Sequence, residues 1–153
     1  VAGYLGIDPG KTTGWALFTD HTTVPGFASG QVEGRFNFYD WYLTRTQKHN
    51  PDAVVMEDYI ITPGTAKKSQ QRDPLLIIGR IEGDCYFNEV PFRLQSPAQG
   101  KSFGTDEKLH HFGWWESTEG GHANDAARHL LRYLAVDRRH PHILEELKEF
   151  AAT

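Results

Sequence analysis

An α/β fold is predicted by three stretches of the sequence: an apolar run at 5–17 that reaches an acid and turns back on itself, a helix at 34–49 that gives way to a short apolar run ending in Glu57, and an amphipathic helix beginning at Gly121. Strand and helix signals alternate, and acids fall where strands end. The 153 residues form most simply one domain, 1–153, with a single core, and a hydrophobic share of 39% beside a charged share of 24% argues against a disordered chain.

The first element is a strand over residues 2–8, in which Leu5 and Ile7 lead to Asp8. Pro9-Gly10 is a turn dipeptide, and the alternation over 13–18, with Trp15, Ala16 and Leu17, predicts a returning strand paired with the first as a meander. A polar turn near Asp20-His21 leads to a third strand over 23–32. From Gly34 to His49, Phe36, Tyr39, Tyr42 and Leu43 recur at helical spacing and predict the buried face, until Asn50-Pro51 stops the pattern. The run Asp52-Ala53-Val54-Val55-Met56-Glu57 then reads as a central strand ending in an acid. Residues 59–73 carry Pro63, Gly64, Lys67, Lys68 and Arg72 without an apolar period, which predicts a loop of the kind that contacts substrate. Asp73-Pro74 offers an N-cap and a first-turn proline for a helix to about Asn88, with Leu75, Ile78, Ile81 and Cys85 as its stripe. Gly79 and Gly83, one turn apart, cost helix propensity and imply close approach of another backbone, a neighbouring element in preference to a ligand.

Val90 to Leu94 resembles a last strand, which Ser96-Pro97 leaves. Between 99 and 120, a glycine-rich segment and a short helix from Thr105 to Phe112 precede Trp114-Trp115, an exposed-looking pair suited to base stacking and equally to packing over a core edge. In the helix from Gly121, Ala123, Ala127, Leu130, Leu131 and Leu134 form an apolar stripe, while His122, Asp125, His129 and Arg132 share another face. Pro141 opens a helical tail to about residue 151, whose Ile143, Leu144, Leu147 and Phe150 must cover the domain or another chain.

Composition narrows the function. No apolar run approaches the roughly 20 residues of a membrane span, and no charged start leads into an apolar block, so the chain reads as cytoplasmic with no membrane partner. It opens on Val1 and its one methionine is Met56, so the expectation is a native start that has been trimmed or replaced. Cys85 is alone, which excludes an internal disulfide and a cysteine-rich zinc site. A net charge of −4 weighs mildly against a nucleic-acid partner. Yet cations gather at Lys67-Lys68 with Arg72, at Lys101 and Lys108 with His110 and His111, and at Arg128, His129, Arg132, Arg138 and Arg139, and acids that hold a metal add negative charge without repelling DNA.

Asp8 alone has an ordinary explanation, since an acid before Pro-Gly caps the turn through its own backbone. Glu57 repeats its situation at the end of another strand, and Asp125 follows His122 by three residues on one helix face. Carboxylates brought together repel unless a cation joins them, and these residue types suit one or two Mg²⁺ or Mn²⁺ ions. Two such ions roughly 4 Å apart activate a water and stabilise the leaving oxygen in phosphoryl displacement.

The same residues carry a resemblance. Leu5-Gly-Ile-Asp-Pro-Gly-Lys-Thr-Thr-Gly-Trp-Ala-Leu17, Val54-Val-Met-Glu57 and His122-Ala-Asn-Asp-Ala-Ala127 resemble, in order and spacing, the three nuclease motifs of the RuvC family of Holliday-junction resolvases in the RNase H-like superfamily. The resemblance covers about residues 3–136, including a helix with Ile78-Gly79 and Gly83 and a lysine-bearing segment from Gln95 to Lys108. It implies a mixed five-stranded sheet flanked by helices on both faces, a homodimer, and paired nicking of branched DNA, four-way junctions first and flaps or forks besides, with Mg²⁺ or Mn²⁺. By position, Asp8 would contact both metals, Glu57 one and Asp125 the other, while His122 falls where the family has an acid or a histidine, as a metal ligand or a guide for phosphate and water. Strand alternation points Asp58 away from Glu57, and the match favours Glu57. Lys101 and Lys108 lie in the family's basic segment as candidate phosphate contacts. Tyr59 lies near the family's stacking aromatic, although the residue three after the glutamate is Ile60. The compact size and divergent tail suggest a phage-encoded member, working in recombination and repair in the cytoplasm of a bacterial host.

Three other readings compete. A RuvC-like ribonuclease of ribosomal-RNA maturation shares the opening motif, but the His-x-x-Asp-Ala helix speaks against it. A nucleic-acid-binding module with a vestigial site has little support because every expected acid is present. An actin-like or sugar-kinase-like phosphate-binding domain needs a second lobe that 153 residues do not supply.

Overall fold

Five strands make one mixed sheet in the computed structural model, which describes residues 3–20, 25–64 and 72–153. They are β1 (Tyr4–Asp8), β2 (Thr12–Thr19), β3 (Gly26–Glu33), β4 (Ala53–Glu57) and β5 (Phe92–Gln95), in the spatial order β3-β2-β1-β4-β5. The first three form an antiparallel meander, with the expected turn at Pro9-Gly10 between β1 and β2, and β4 and β5 add to β1 in parallel. Six helices among the described residues complete it: α1 (Arg35–Thr46), α2 (Asp73–Phe87), α3 (Pro97–Phe103), α4 (Asp106–Phe112), α5 (His122–Arg132) and α6 (Pro141–Ala152). A π-helical turn, Tyr133–Asp137, continues α5, and a short 3₁₀ turn, Glu119–Gly121, precedes it.

Alternation along each strand divides the core between the two faces. Leu5 and Ile7 of β1 with Val54 and Met56 of β4 pack against α1 and α2. Ala16 and Phe18 of β2 with Ala53 and Val55 of β4 pack against α5 and the elements around it. By the same parity, Asp8 and Glu57 project toward the α5 face at the ends of two adjacent parallel strands. Glycine makes that face accessible: a β-carbon at Gly6 would fall 2.6 Å from the carbonyl oxygen of Ala126 and 2.9 Å from Leu130 Cβ. The helix therefore lies directly on the strand backbone.

Several expectations need correction. In α1 the buried residues are Phe38 and Tyr42, while Phe36 is 68% exposed and Leu43 43%. Aromatic residues occur all round this helix, so its apolar spacing has two solutions, and packing with Leu5, Ile7, Val54 and Met56 of the sheet selects Phe38. In α2, Pro74 and Ile77 join Ile78, Ile81 and Cys85 inside, Leu75 is exposed, and the cap shifts to Arg72. Gly79 and Gly83 meet no backbone, for a β-carbon at either would have nothing within 4 Å. The last strand begins two residues later than expected, and α3 is an additional helix. Its signal is present as Ser96-Pro97-Ala98-Gln99: the Ser96 hydroxyl accepts from Gln99 N, and Ser96 N donates to the Gln99 side chain, a complete capping box. Trp114 is a core residue rather than a surface platform, stacked on Phe27 with ring centres 4.3 Å apart. The tail helix covers its own chain: Ile143 is fully buried and His140 Nε2 lies 2.6 Å from Asp20 Oδ2. No helix of the described residues is long and apolar enough to cross a membrane.

Candidate active site

Asp8 and Glu57 reach the same space as the start of α5, and the backbone there explains why. The N-cap Gly121 adopts φ 69° and supplies no side-chain cap. A residue from β3 does so instead: Gln31 Oε1 accepts hydrogen bonds from His122 N (3.0 Å) and Ala123 N (3.3 Å), while Gln31 Nε2 donates to Glu119 O. Two orphan amides of the helix N-terminus are thereby satisfied from another element. Asn124, buried beneath the same turn, accepts from Glu116 N and donates to Glu116 O, which fixes the loop leading into the helix. His122 and Asp125 are thus presented on a braced first turn.

Two histidine–carboxylate pairs dominate the geometry. His122 Nδ1 lies 3.0 Å from Asp8 Oδ2, and His129 Nε2 lies 3.1 Å from Glu57 Oε1. Their exposures differ: the His122 side chain is 37% exposed, that of His129 only 1%. His129 Nδ1 also meets Gln95 Oε1 at 2.8 Å, and Gln95 pairs with Glu57 across the β4/β5 ladder. Asp125 Oδ1 accepts from Arg128 Nε at 3.3 Å. Arg128, which the sequence grouped with the cations His129, Arg132, Arg138 and Arg139, is a clamp whose other nitrogens donate to Gly104 O and to Asp106.

The charges are unbalanced at Asp8. Burial, the chief cause, together with the neighbouring carboxylates of Glu57 and Asp125, outweighs the hydrogen bond to His122 and pushes its carboxyl up to about 8. Glu57 moves the other way: burial would raise it, but hydrogen bonds to His129 and Asp8 and the charges of His129 and Lys101 hold it below the usual carboxylate range. Asp8 thus keeps a proton while Glu57 stays ionised. The hydrogen bond to Asp8 raises His122 against the opposing effect of burial. The acids do not by themselves close into a tight three-ligand cage. Among the described residues, a set of three whose donor atoms all fall within 4.8 Å of one another is formed instead by His111, Glu146 and Glu149, on α4 and α6.

The remaining residues singled out from sequence divide. Lys101 on α3 is exposed and near enough to Glu57 to lower its titration. Lys108 is not free in the same way, because its ammonium donates to Phe103 O at 2.8 Å and rests over the Phe103 ring. Tyr59 is half-buried against the α1/α2 core, on the face opposite to Glu57, and Asp58 is tied to Tyr59 N through Oδ1. Arg72 is exposed at the start of α2. Lys67 and Lys68 lie outside the described residues, as does His21 of the turn expected near Asp20-His21. An open groove of about 490 Å³ adjoins the site, lined by Thr12, Gln31, Glu33, Glu119, Gly120 and His122. Gln31, Gln95, Arg128 and His129 are the residues that sequence left unassigned to the site. Only the shared helical face of His122, Asp125 and His129 pointed to any of them.

No protein-family model matches the sequence, and no curated protein matches it either. Solved structures match its fold. RuvC of T. thermophilus, in complex with a Holliday junction substrate, aligns with a TM-score of 0.66 at 16% identity, covering 92% of this chain and 97% of its own. The Fowlpox virus Holliday junction resolvase aligns with a TM-score of 0.55 at 18% identity over 86% of this chain and 97% of its own. The complex of the Fowlpox virus resolvase with junction DNA gives 0.53 at 16% identity, over 85% and 97%. At such identities the likeness is one of fold: the mixed sheet in the order β3-β2-β1-β4-β5 with its helices on both faces is the RNase H-like fold of RuvC.

Proposed function

We propose that the chain is a metal-dependent endonuclease that cuts phosphodiester bonds in branched DNA, a Holliday-junction resolvase. The observation that carries this reading is the gathering of Asp8, Glu57, Asp125 and His122 at the sheet end, where burial first and the carboxylates of Glu57 and Asp125 second raise the Asp8 carboxyl to about 8 against the hydrogen bond from His122. An acid kept protonated by burial and by neighbouring acids is a site short of positive charge. Three carboxylates and an imidazole are a donor set suited to Mg²⁺ or Mn²⁺: Asp8 would serve both ions, Glu57 one of them, and Asp125 with His122 the other. When bound, such ions supply activation of a water and neutralisation of charge on the leaving oxygen of an in-line displacement.

The chain's own groups do the rest. His122, protonated, donates to Asp8 and compensates part of the acid charge in the absence of a cation; neutral, its Nδ1 offers a lone pair in the same position. Arg128 fixes one oxygen of Asp125. Lys101 adds positive charge on the α3 side, where a phosphate would approach. Pro9-Gly10 carries no bulky side chain at the end of β1, so a DNA backbone comes close to Asp8. Paired nicking requires two copies, and the proposal includes a homodimer. Support for its surface comes from α2, whose open Gly79/Gly83 face lies on the same helix as exposed Leu75, Leu76, Tyr86 and Phe87. A phage-encoded enzyme acting in a bacterial cytoplasm fits this reading.

The test is the purified chain with Mg²⁺ or Mn²⁺ on a four-way junction, a flap, a linear duplex and an RNA–DNA hybrid, with cut sites mapped. Paired nicks in the junction, absent with Asp8→Asn although that variant still binds, are expected. Cleavage of none of the four, or an Asp8→Asn variant as fast as the parent, overturns the proposal.

A further inference from the structure

His129 holds Glu57 by an arrangement too specific to be incidental core packing. Glu57 and Gln95 are register partners on β4 and β5, and their side chains emerge on the same face. The imidazole spans the two, with Nε2 3.1 Å from Glu57 Oε1 and Nδ1 2.8 Å from Gln95 Oε1. It is 1% exposed, so it cannot swing into solvent as His122 can. Room for the ring comes from α3: a β-carbon at Gly100 would fall 2.6 Å from His129 Cε1 and 2.8 Å from Nδ1. Gln95 Nε2 is buried without a hydrogen-bond partner among the described residues. Exchanging the amide oxygen and nitrogen of Gln95 lets its N–H donate to Nδ1, which leaves a proton on Nε2 for Glu57. Glycine, amide and imidazole thus converge on one carboxylate oxygen.

We propose that His129 is a positioning residue that fixes Glu57 through Oε1 and leaves Oε2 as the oxygen offered to a divalent cation, with Gln95 setting the imidazole tautomer and Gly100 making room for the ring. This rests on the reading of Glu57 as a metal ligand. A half-buried glutamate has three side-chain torsions to order on binding; held by a buried donor, it is ordered beforehand. Groups that orient a metal ligand from behind typically change affinity by about 10–100-fold when removed. Because Gly100 precedes Lys101 on α3, the same contact sets where that lysine stands relative to Glu57.

The experiment is Mn²⁺ binding by calorimetry on the full chain without DNA, with a melting curve in EDTA for each variant. His129→Ala should weaken Mn²⁺ about 10–100-fold, and His129→Gln, whose amide can still donate to Glu57, should recover most of the loss. In cleavage assays the deficit of His129→Ala should shrink as Mn²⁺ is raised. Glu57→Gln is the reference. If it too leaves Mn²⁺ affinity unchanged, the metal reading of Glu57 is wrong. If it weakens binding and a folded His129→Ala does not, the positioning role is wrong. Should His129→Ala fail to fold, Gln95→Leu decides: it removes the contact to Nδ1 at similar size, a several-fold weaker affinity is expected, and an unchanged one overturns the proposal.

Discussion

Gly14 of β2 lies so close under the carbonyl of His122 that a β-carbon on the strand residue and that oxygen cannot share the space. With Gly6 on β1, it lets α5 rest on the sheet backbone and bring His122 and Asp125 to the ends of β1 and β4. Gly14→Ala must therefore lift the first turn of α5 or push β2 aside. The expected cost is about 3 kcal/mol or more, which lowers Tm by roughly 10 °C for a chain of this size. Thermal melts check this, and a variant melting within about 2 °C of the parent would show the helix more loosely seated than described.

Asp8 makes stability depend on pH. Its folded carboxyl titrates at about 8 against an ordinary 3.8, so the folded chain holds a proton that the unfolded chain releases, and stability falls as pH rises across that interval. His122 acts in the same direction: its raised titration gives stability below its ordinary value of 6.5 that is lost as pH rises through the folded value. In EDTA at pH 9, Asp8→Asn should melt several degrees above the parent, because the buried charge is gone; toward pH 4 the gap should close. Mn²⁺ should raise the Tm of the parent far more than that of Asp8→Asn. Parallel pH profiles for the two proteins would contradict the crowding on which the proposed function rests.

The acids were legible in sequence because strand ends and a helical face are local patterns. Asp8 follows an apolar run, Glu57 does the same, and His122 and Asp125 are three apart. What supports them was not legible, because each support crosses between elements distant in sequence. Gln31 caps α5 from 91 residues away, and the link from His129 to Glu57 spans 72. The buried face of α1 was misread for a related reason: an aromatic-rich helix offers several stripes, and only the sheet chooses Phe38 over Phe36. The α3 helix was a different matter, since Ser96, Pro97 and Gln99 spell its start and only the short length concealed it.

Arg128 joins three parts of the site and should not tolerate replacement. Its guanidinium donates to Asp125, to Asp106 and to Gly104 O, with the side chain only 13% exposed. Arg128→Ala leaves a half-buried carboxylate and a carbonyl without these donors, at an expected cost of about 2 kcal/mol. Arg128→Lys should recover little, because one ammonium cannot reach three acceptors set for a planar fork. Urea unfolding measures both, and full recovery by lysine would reduce the clamp to a simple charge.

Lys101 and Lys108, equivalent in sequence, should separate in function. The Lys108 ammonium donates to Phe103 O at the end of α3, and burial lowers its titration. Lys101 stands exposed, near enough to Glu57 to lower its titration. On the proposed function, phosphate neutralisation is therefore expected of Lys101. Lys101→Ala should weaken junction binding and lower the slope of log K against log salt by about 1, whereas Lys108→Ala should leave the slope alone and cost about 1 kcal/mol of stability. Salt titrations of junction affinity in Ca²⁺, set beside melting curves, measure the two effects separately. A salt slope that drops equally for both lysines would mean that DNA draws Lys108 off Phe103 when it binds.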